Sequence, residues 1–186
     1  MTRAVVVDPD SALLFDRLAQ RLVELARAPR AEERHFLIAL SGGSTPEGFF
    51  QILATKYASR FPWSQTEFFW GDERAVAPAH PDSNYGMAAR TLFSTSQVPP
   101  GNIHRILGEL TPTEAAAREY AETLESKFGA VTGTGTTFDV ALLGVGPDGH
   151  TASLFPQRPS LSVSDRWTVV ENEPGQPPPI PRISLT

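Results

Sequence analysis

The chain of 186 residues contains no cysteine. Disulfides, thiolate metal sites and cysteine nucleophiles are therefore excluded. Long apolar runs are lacking too, and no stretch approaches the roughly 18 residues of a membrane span. The N-terminal apolar run, residues 4–7, is too short for a signal peptide and stops at Asp8. Positive charge is scarce: 16 Lys and Arg stand against 21 Asp and Glu, a net charge of −5. Broad nucleic-acid binding needs a basic surface, so this balance argues against it. An anionic small ligand remains open, because a few arginines and backbone amides bind phosphate inside an acidic protein. The expectation is a cytoplasmic monomer with no nucleic-acid or membrane partner.

What is present is globular: 40% hydrophobic and 20% charged residues. The length fits one domain, residues 1–186, with enough chain to bury a core. Residues 4–7, an alanine and three β-branched valines, read as a first strand. Leu14, Leu18, Leu22 and Leu25 then recur at helical spacing up to about residue 28. A charged turn, residues 30–34, precedes the apolar strand Phe36–Leu40. Thr66–Trp70 is a further strand, and residues 103–106 a short one. Residues 82–84 cap a helix through Phe93. Thr111-Pro112-Thr113-Glu114 reads as a capping box for a helix ending near Gly129. A Gly/Thr-rich loop, 129–137, leads into an apolar run, 138–143, that reads as a buried strand. Residues 167–170 and 182–186 are strand-like, joined by a stiff, extended proline-rich linker over 176–181. Strands alternate with helices, which predicts an α/β fold: a Rossmann-like three-layer sandwich, its sheet largely parallel with helices on both faces.

Three turns follow strands, and ligands bind at strand carboxyl ends in such sheets. The first is Ser41-Gly42-Gly43-Ser44-Thr45-Pro46. Thr45 suits an N-cap and Pro46 the first helical position, so Gly42, Gly43, Ser44 and Thr45 would present amides and hydroxyls to an anion. A bland βα turn uses glycine the same way, and no Walker lysine follows. The second, Gly71-Asp72-Glu73-Arg74, reads as a charged loop. The third, residues 144–150, packs Gly144, Gly146, Pro147, Asp148 and Gly149 ahead of His150, where a short helix is expected to open. Its Gly-x-Gly-x-x-Gly spacing matches the dinucleotide fingerprint. Against that, Pro147 removes an amide from the cradle, and no complete βαβ unit follows. His35, His80 and His104 lie in separate segments without metal-ligand spacing and read as structural, so no metal is expected. No Gly-x-Ser-x-Gly elbow supports a serine nucleophile; Ser41 and Ser44 read better as ligand hydrogen-bonders. His150, set among glycines at a strand end, is the candidate base.

These three turns, with Asp82-Ser83-Asn84-Tyr85-Gly86-Met87 and the run from Leu143 to Pro156, resemble the 6-phosphogluconolactonases of the pentose phosphate pathway. The resemblance implies hydrolysis of 6-phospho-D-glucono-1,5-lactone to 6-phosphogluconate without metal or cofactor. It also implies a single domain of that family lacking its C-terminal strand and helix elements. Glucosamine-6-phosphate deaminases share the first turn and the Asp-Gly-His, but carry a catalytic glutamate where this chain has Phe155, which cannot transfer a proton. A lactone is a cyclic ester. Its hydrolysis needs an activated water, an oxyanion stabiliser and a phosphate anchor. His150 is then the general base, Asp72 orients it, and Arg74 meets the oxyanion. Gly42, Gly43, Ser44, Thr45, Asp148 and Arg182 hold the sugar phosphate. The alternatives are a non-catalytic sugar-phosphate-binding module, an inactive fragment of the same fold, or a deaminase.

Overall fold

The computed structural model describes residues 4–28, 34–131 and 137–186. Most of the expected charged turn over 30–34, and of the Gly/Thr-rich loop over 129–137, lies outside the described residues. The elements run α1 (Ser11–Arg27), β1 (Phe36–Leu40), α2 (Ser44–Thr55), β2 (Thr66–Trp70), β3 (Asp72–Arg74), α3 (Asn84–Ala88), α4 (Thr113–Phe128), β4 (Val140–Ala141), β5 (Thr168–Glu171) and β6 (Arg182–Leu185). Among the described residues, no helix is long and apolar enough to cross a membrane.

The main sheet is parallel, with β1 between β2 and β4. Every residue of β1 and β2 is buried, as the apolar run of β1 and the three aromatics of β2 require when both faces are covered. Phe36, Ile38, Leu40, Phe68, Phe69 and Trp70 meet Phe49, Phe50 and Leu53 of α2 in one core. Each such side chain contributes about 1.5–3 kcal/mol by leaving water. Helix α1 lies on α2 through Ala19, Leu22, Val23 and Ala26, an i, i+3, i+4, i+7 stripe. Of the expected leucine stripe, Leu22 is buried in this contact and Leu25 packs on the core, whereas Leu14 and Leu18 are each 37% exposed. Tyr120 of α4 is fully buried. Its hydroxyl donates to the Trp70 carbonyl and accepts from the Trp70 amide, both at 2.9 Å, fixing the carboxyl end of β2.

Several expectations change. Residues 4–7 form no strand, with Val5 and Val7 90% and 84% exposed; β-branched residues make a strand only where a neighbour supplies the ladder. The run 138–143 is not a buried strand. Only Val140–Ala141 pair, on one side, and Leu143 is 61% exposed. The start of that strand is held instead by Asp139, whose carboxylate takes both Arg34 Nη atoms at 2.7 and 2.8 Å and the Leu37 amide at 2.8 Å. Residues 103–106 reduce to a single bridge, Phe68 with Ile103. The Thr111 capping box does not form, and Pro112 is the N-cap of α4.

Residues 72–74 are a strand rather than a loop. They pair antiparallel with β6, which also pairs with β5, in a second sheet ordered β3-β6-β5. The ladder depends on a partner far along the chain, so no local pattern announces it. The linker 176–181 is bent, not extended: its carbonyls turn inward onto Arg182.

At the amino end of the main sheet, Glu67 accepts from Lys127 Nζ at 2.7 Å and lies 2.9 Å from both His35 Nδ1 and His104 Nε2. His104 also stacks on Phe69 at 4.5 Å. Burial alone raises the Glu67 pKa, but the bonds from Lys127 and His104 outweigh it and hold the carboxyl below its ordinary value. Two of the histidines are thus spent on the fold, far from the strand ends where ligands bind.

Candidate functional site

The carboxyl ends of β1, β2 and β4 open onto one cleft of about 210 Å³. Gly42 and Gly43 enter it from the β1–α2 turn, Asp72 and Arg74 from β3, His150 from the last turn and Arg182 from β6. Five residues that the sequence did not mark as contributors also line it: Asn84, Gly144, Val145, Gly146 and Ala152. Ser44 and Thr45 do not. They are the exposed first residues of α2, whose N-cap is Gly43 at φ +100°, not Thr45. Their backbone amides, in the unpaired first turn, remain free to meet an anion.

The turn around His150 is built by glycine. The Gly149 amide donates to the Gly146 carbonyl at 3.0 Å and the Gly146 amide to the His150 carbonyl at 2.9 Å. Gly149 takes φ +88°, a left-handed conformation. The imidazole lies directly on Gly146, where a Cβ would come 2.1 Å from its Cε1. No helix starts here; Thr151 instead bridges to Leu154. Ala152, at φ +49°, holds a conformation seldom adopted by residues with side chains.

Asp148, not Asp72, meets the imidazole. His150 Nδ1 is 2.5 Å from Asp148 Oδ1, and the His150 amide adds a bond of 3.2 Å to the same oxygen. The His150 bond is the main cause that lowers the Asp148 pKa to about 2. An ionised carboxylate only accepts, so a neutral His150 ring in this arrangement carries its proton on Nδ1 and its lone pair on Nε2. Asp72 is buried and turned elsewhere. Its Oδ2 accepts from Ser153 Oγ at 2.7 Å, and Asn84 Nδ2 donates to its carbonyl at 2.8 Å and its Oδ1 at 3.3 Å. Asp72 thereby ties β3 to the turn carrying His150. Its neighbour Glu73 faces away from the cleft. It accepts from the amides of Arg74, Asn84 and Tyr85 and from Ser83 Oγ, at 2.7–3.0 Å, and so caps α3. Burial pushes the Glu73 carboxyl up against the pull of those four donors.

Arg74 and Arg182 are register partners across β3 and β6. Like charges set opposite each other repel. Burial first, and Arg74 second, lower the Arg182 pKa, while Asp72 and Asp82 oppose the shift. Arg74 Nη1 donates to the Asp82 carbonyl at 2.5 Å, and Arg182 Nη2 to three carbonyls of the bent linker. The Nε atoms of both arginines are buried without a partner among the described residues. Two guanidinium groups with donors to spare, beside one carboxylate, suit an anion. Phe155 is buried between the charged groups, its ring 4.7 Å from that of His150 and 5.6 Å from Arg182 Cζ. A larger groove between α4 and β5 gathers Arg158 and Glu173, a loose pair at 3.6 Å, and no aimed base.

The sequence matches the family described as glucosamine-6-phosphate isomerases/6-phosphogluconolactonase over residues 9–186. It is 38% identical over 186 residues to a 6-phosphogluconolactonase of Nostoc sp., covering all of this chain and 75% of that one. It is 43% identical over 147 residues to a 6-phosphogluconolactonase of Synechocystis sp., covering 79% of this chain and 60% of that one. The fold superposes on the structure of 6-phosphogluconolactonase from Trypanosoma brucei with a TM-score of 0.85 at 28% identity, covering 100% of this chain and 76% of that one. The chain therefore spans three-fifths to three-quarters of the length of these relatives.

Proposed function

The chain belongs to the glucosamine-6-phosphate isomerase/6-phosphogluconolactonase family, and on that premise we propose that it hydrolyses 6-phospho-D-glucono-1,5-lactone to 6-phospho-D-gluconate. The observation that carries this reading is the hydrogen-bonded pair of Asp148 and His150 at the edge of a cleft that also holds two arginines.

In this reading His150 Nε2 takes a proton from water as the oxygen adds to the lactone carbonyl carbon. Asp148 balances the imidazolium that forms, and Arg74 receives the developing oxyanion. Collapse of the tetrahedral intermediate breaks the bond to the ring oxygen, which takes the proton back from His150. General-base help is worth about 10²–10⁴-fold and one oxyanion donor roughly 10²–10³-fold. Arg182 and the amides beyond Gly42 and Gly43 hold the phosphate. Asp72 acts on the base only at a distance, through Ser153. Phe155 favours the lactonase over the deaminase reading, because an apolar ring packed on His150 moves no proton.

The test is loss of freshly generated lactone, with the spontaneous rate subtracted. Wild-type protein should accelerate it and His150→Ala should not. A wild-type rate equal to the spontaneous one, with 6-phosphogluconate still bound, would make this a binding module instead.

A further inference from the structure

The bent segment between β5 and β6 touches the site at three points. Gln176 Nε2 donates to Asp148 Oδ2 at 3.2 Å. The Gln176 carbonyl accepts Arg182 Nη2 at 3.1 Å, joined by those of Pro178 at 3.3 Å and Pro177 at 3.4 Å. Gly175 lies against Phe155, where a Cβ would sit 3.5 Å from the ring. One turn thus reaches the carboxylate behind the imidazole, the guanidinium, and the ring between them.

The geometry points to Gln176 as a positioning residue for the proposed hydrolysis. Its side-chain amide fixes the Asp148 carboxylate, so that His150 keeps its proton on Nδ1 and turns Nε2 to water. Its backbone carbonyl fixes Arg182. The need for such a brace is physical. Asp148 stands on a turn kept pliable by Gly146 and Gly149, and His150 occupies only one of its two carboxylate oxygens. A donor on the second oxygen stops the carboxylate rotating. The prolines at 177, 178, 179 and 181 preset the backbone of the brace, which limits the entropy lost in holding it. The inference rests on the lactonase reading for the reaction concerned.

Gln176→Ala removes the amide. Gln176→Glu keeps the size of the side chain but sets an acceptor against an acceptor. In steady-state assays of the whole chain, kcat should fall about 3–10-fold in the alanine variant and further in the glutamate variant. KM should stay within about twofold, because neither change touches the carbonyl that holds Arg182. Unchanged kcat in both variants, or a loss confined to KM, overturns the proposal. Nitrogen-15 spectra of labelled histidine, with residue 150 assigned by His150→Asn, read the same geometry without turnover. The wild-type ring should show the Nδ1-protonated tautomer, and both Gln176 variants a mixture. An identical tautomer signature in all three proteins overturns the proposal whatever the assay gives. Wild-type protein inactive on lactone, with the signature shifting as expected, overturns the lactonase reading alone.

Discussion

His150 Nδ1 lies 2.5 Å from Asp148 Oδ1, two residues earlier on the same turn, whereas Asp72 gives its nearest oxygen to Ser153. The two aspartates are therefore separable by mutation. Asp148→Asn sets an amide against the ring and permits the wrong tautomer; kcat should fall about 10²–10⁴-fold. Asp72→Asn should cost about tenfold or less, through loosened bonds to Ser153 and Asn84. Steady-state kinetics on fresh lactone decide the matter. The reverse ranking would return Asp72 to the imidazole.

Gly146 is the seat of the His150 ring. Gly146→Ala places a methyl 2.1 Å from Cε1, so the imidazole must swing away. A misplacement of this size should lower kcat by roughly 10²-fold. The turn lies outside the main aromatic core, so the melting temperature should move by no more than a few degrees. A variant that melts far lower would mean the glycine serves the fold instead.

The opposite end of the sheet governs acid stability. Glu67 and Asp139 are both held below their ordinary pKa values, by Lys127 and His104 in one case and by Arg34 and the Leu37 amide in the other. A carboxyl depressed by folding contributes stability above its unfolded pKa and loses it as pH falls through the folded one. Melting temperatures should therefore drop below about pH 4.5. Glu67→Gln should lower the melting temperature at pH 7 and flatten that drop. A pH profile unchanged by this substitution would clear Glu67 of the role.

Glu73 presents two oxygens to four donors. In Glu73→Gln one oxygen becomes an NH₂ group, which must face two of those donors. Denaturant titration at neutral pH should show a loss of about 1–3 kcal/mol. Equal stability would show that Ser83 alone suffices to cap α3.

The parallel sheet was legible because β1 is an unbroken apolar run and β2 ends in three aromatics, and such runs announce themselves locally. The three turns were legible because glycine and proline mark strand ends. The second sheet was not, since Asp72 pairs with Ser184 and Arg74 with Arg182, and nothing near residue 72 reveals a partner near 184. The exchange of roles between Asp148 and Asp72 has the same origin. Position relative to His150 along the chain was readable, but the rotation imposed by Gly149 and the hold of Ser153 were not. Asn84 passed for a cap because its place on the cleft comes from Gly42, whose missing side chain leaves room for the amide.

His150 and Asp148 ride on the bend at residues 148–150, with Gly42 and Gly43 on a second bend and Gln176 on a third, while Phe36, Phe49, Phe50, Phe68, Phe69 and Trp70 lie in β1, β2 and α2. Competence and foldedness are for that reason distinct properties of this molecule. Bends open at lower free energy than the strands they leave, so mild denaturant should silence the proposed hydrolysis while Trp70 still reports an intact interior.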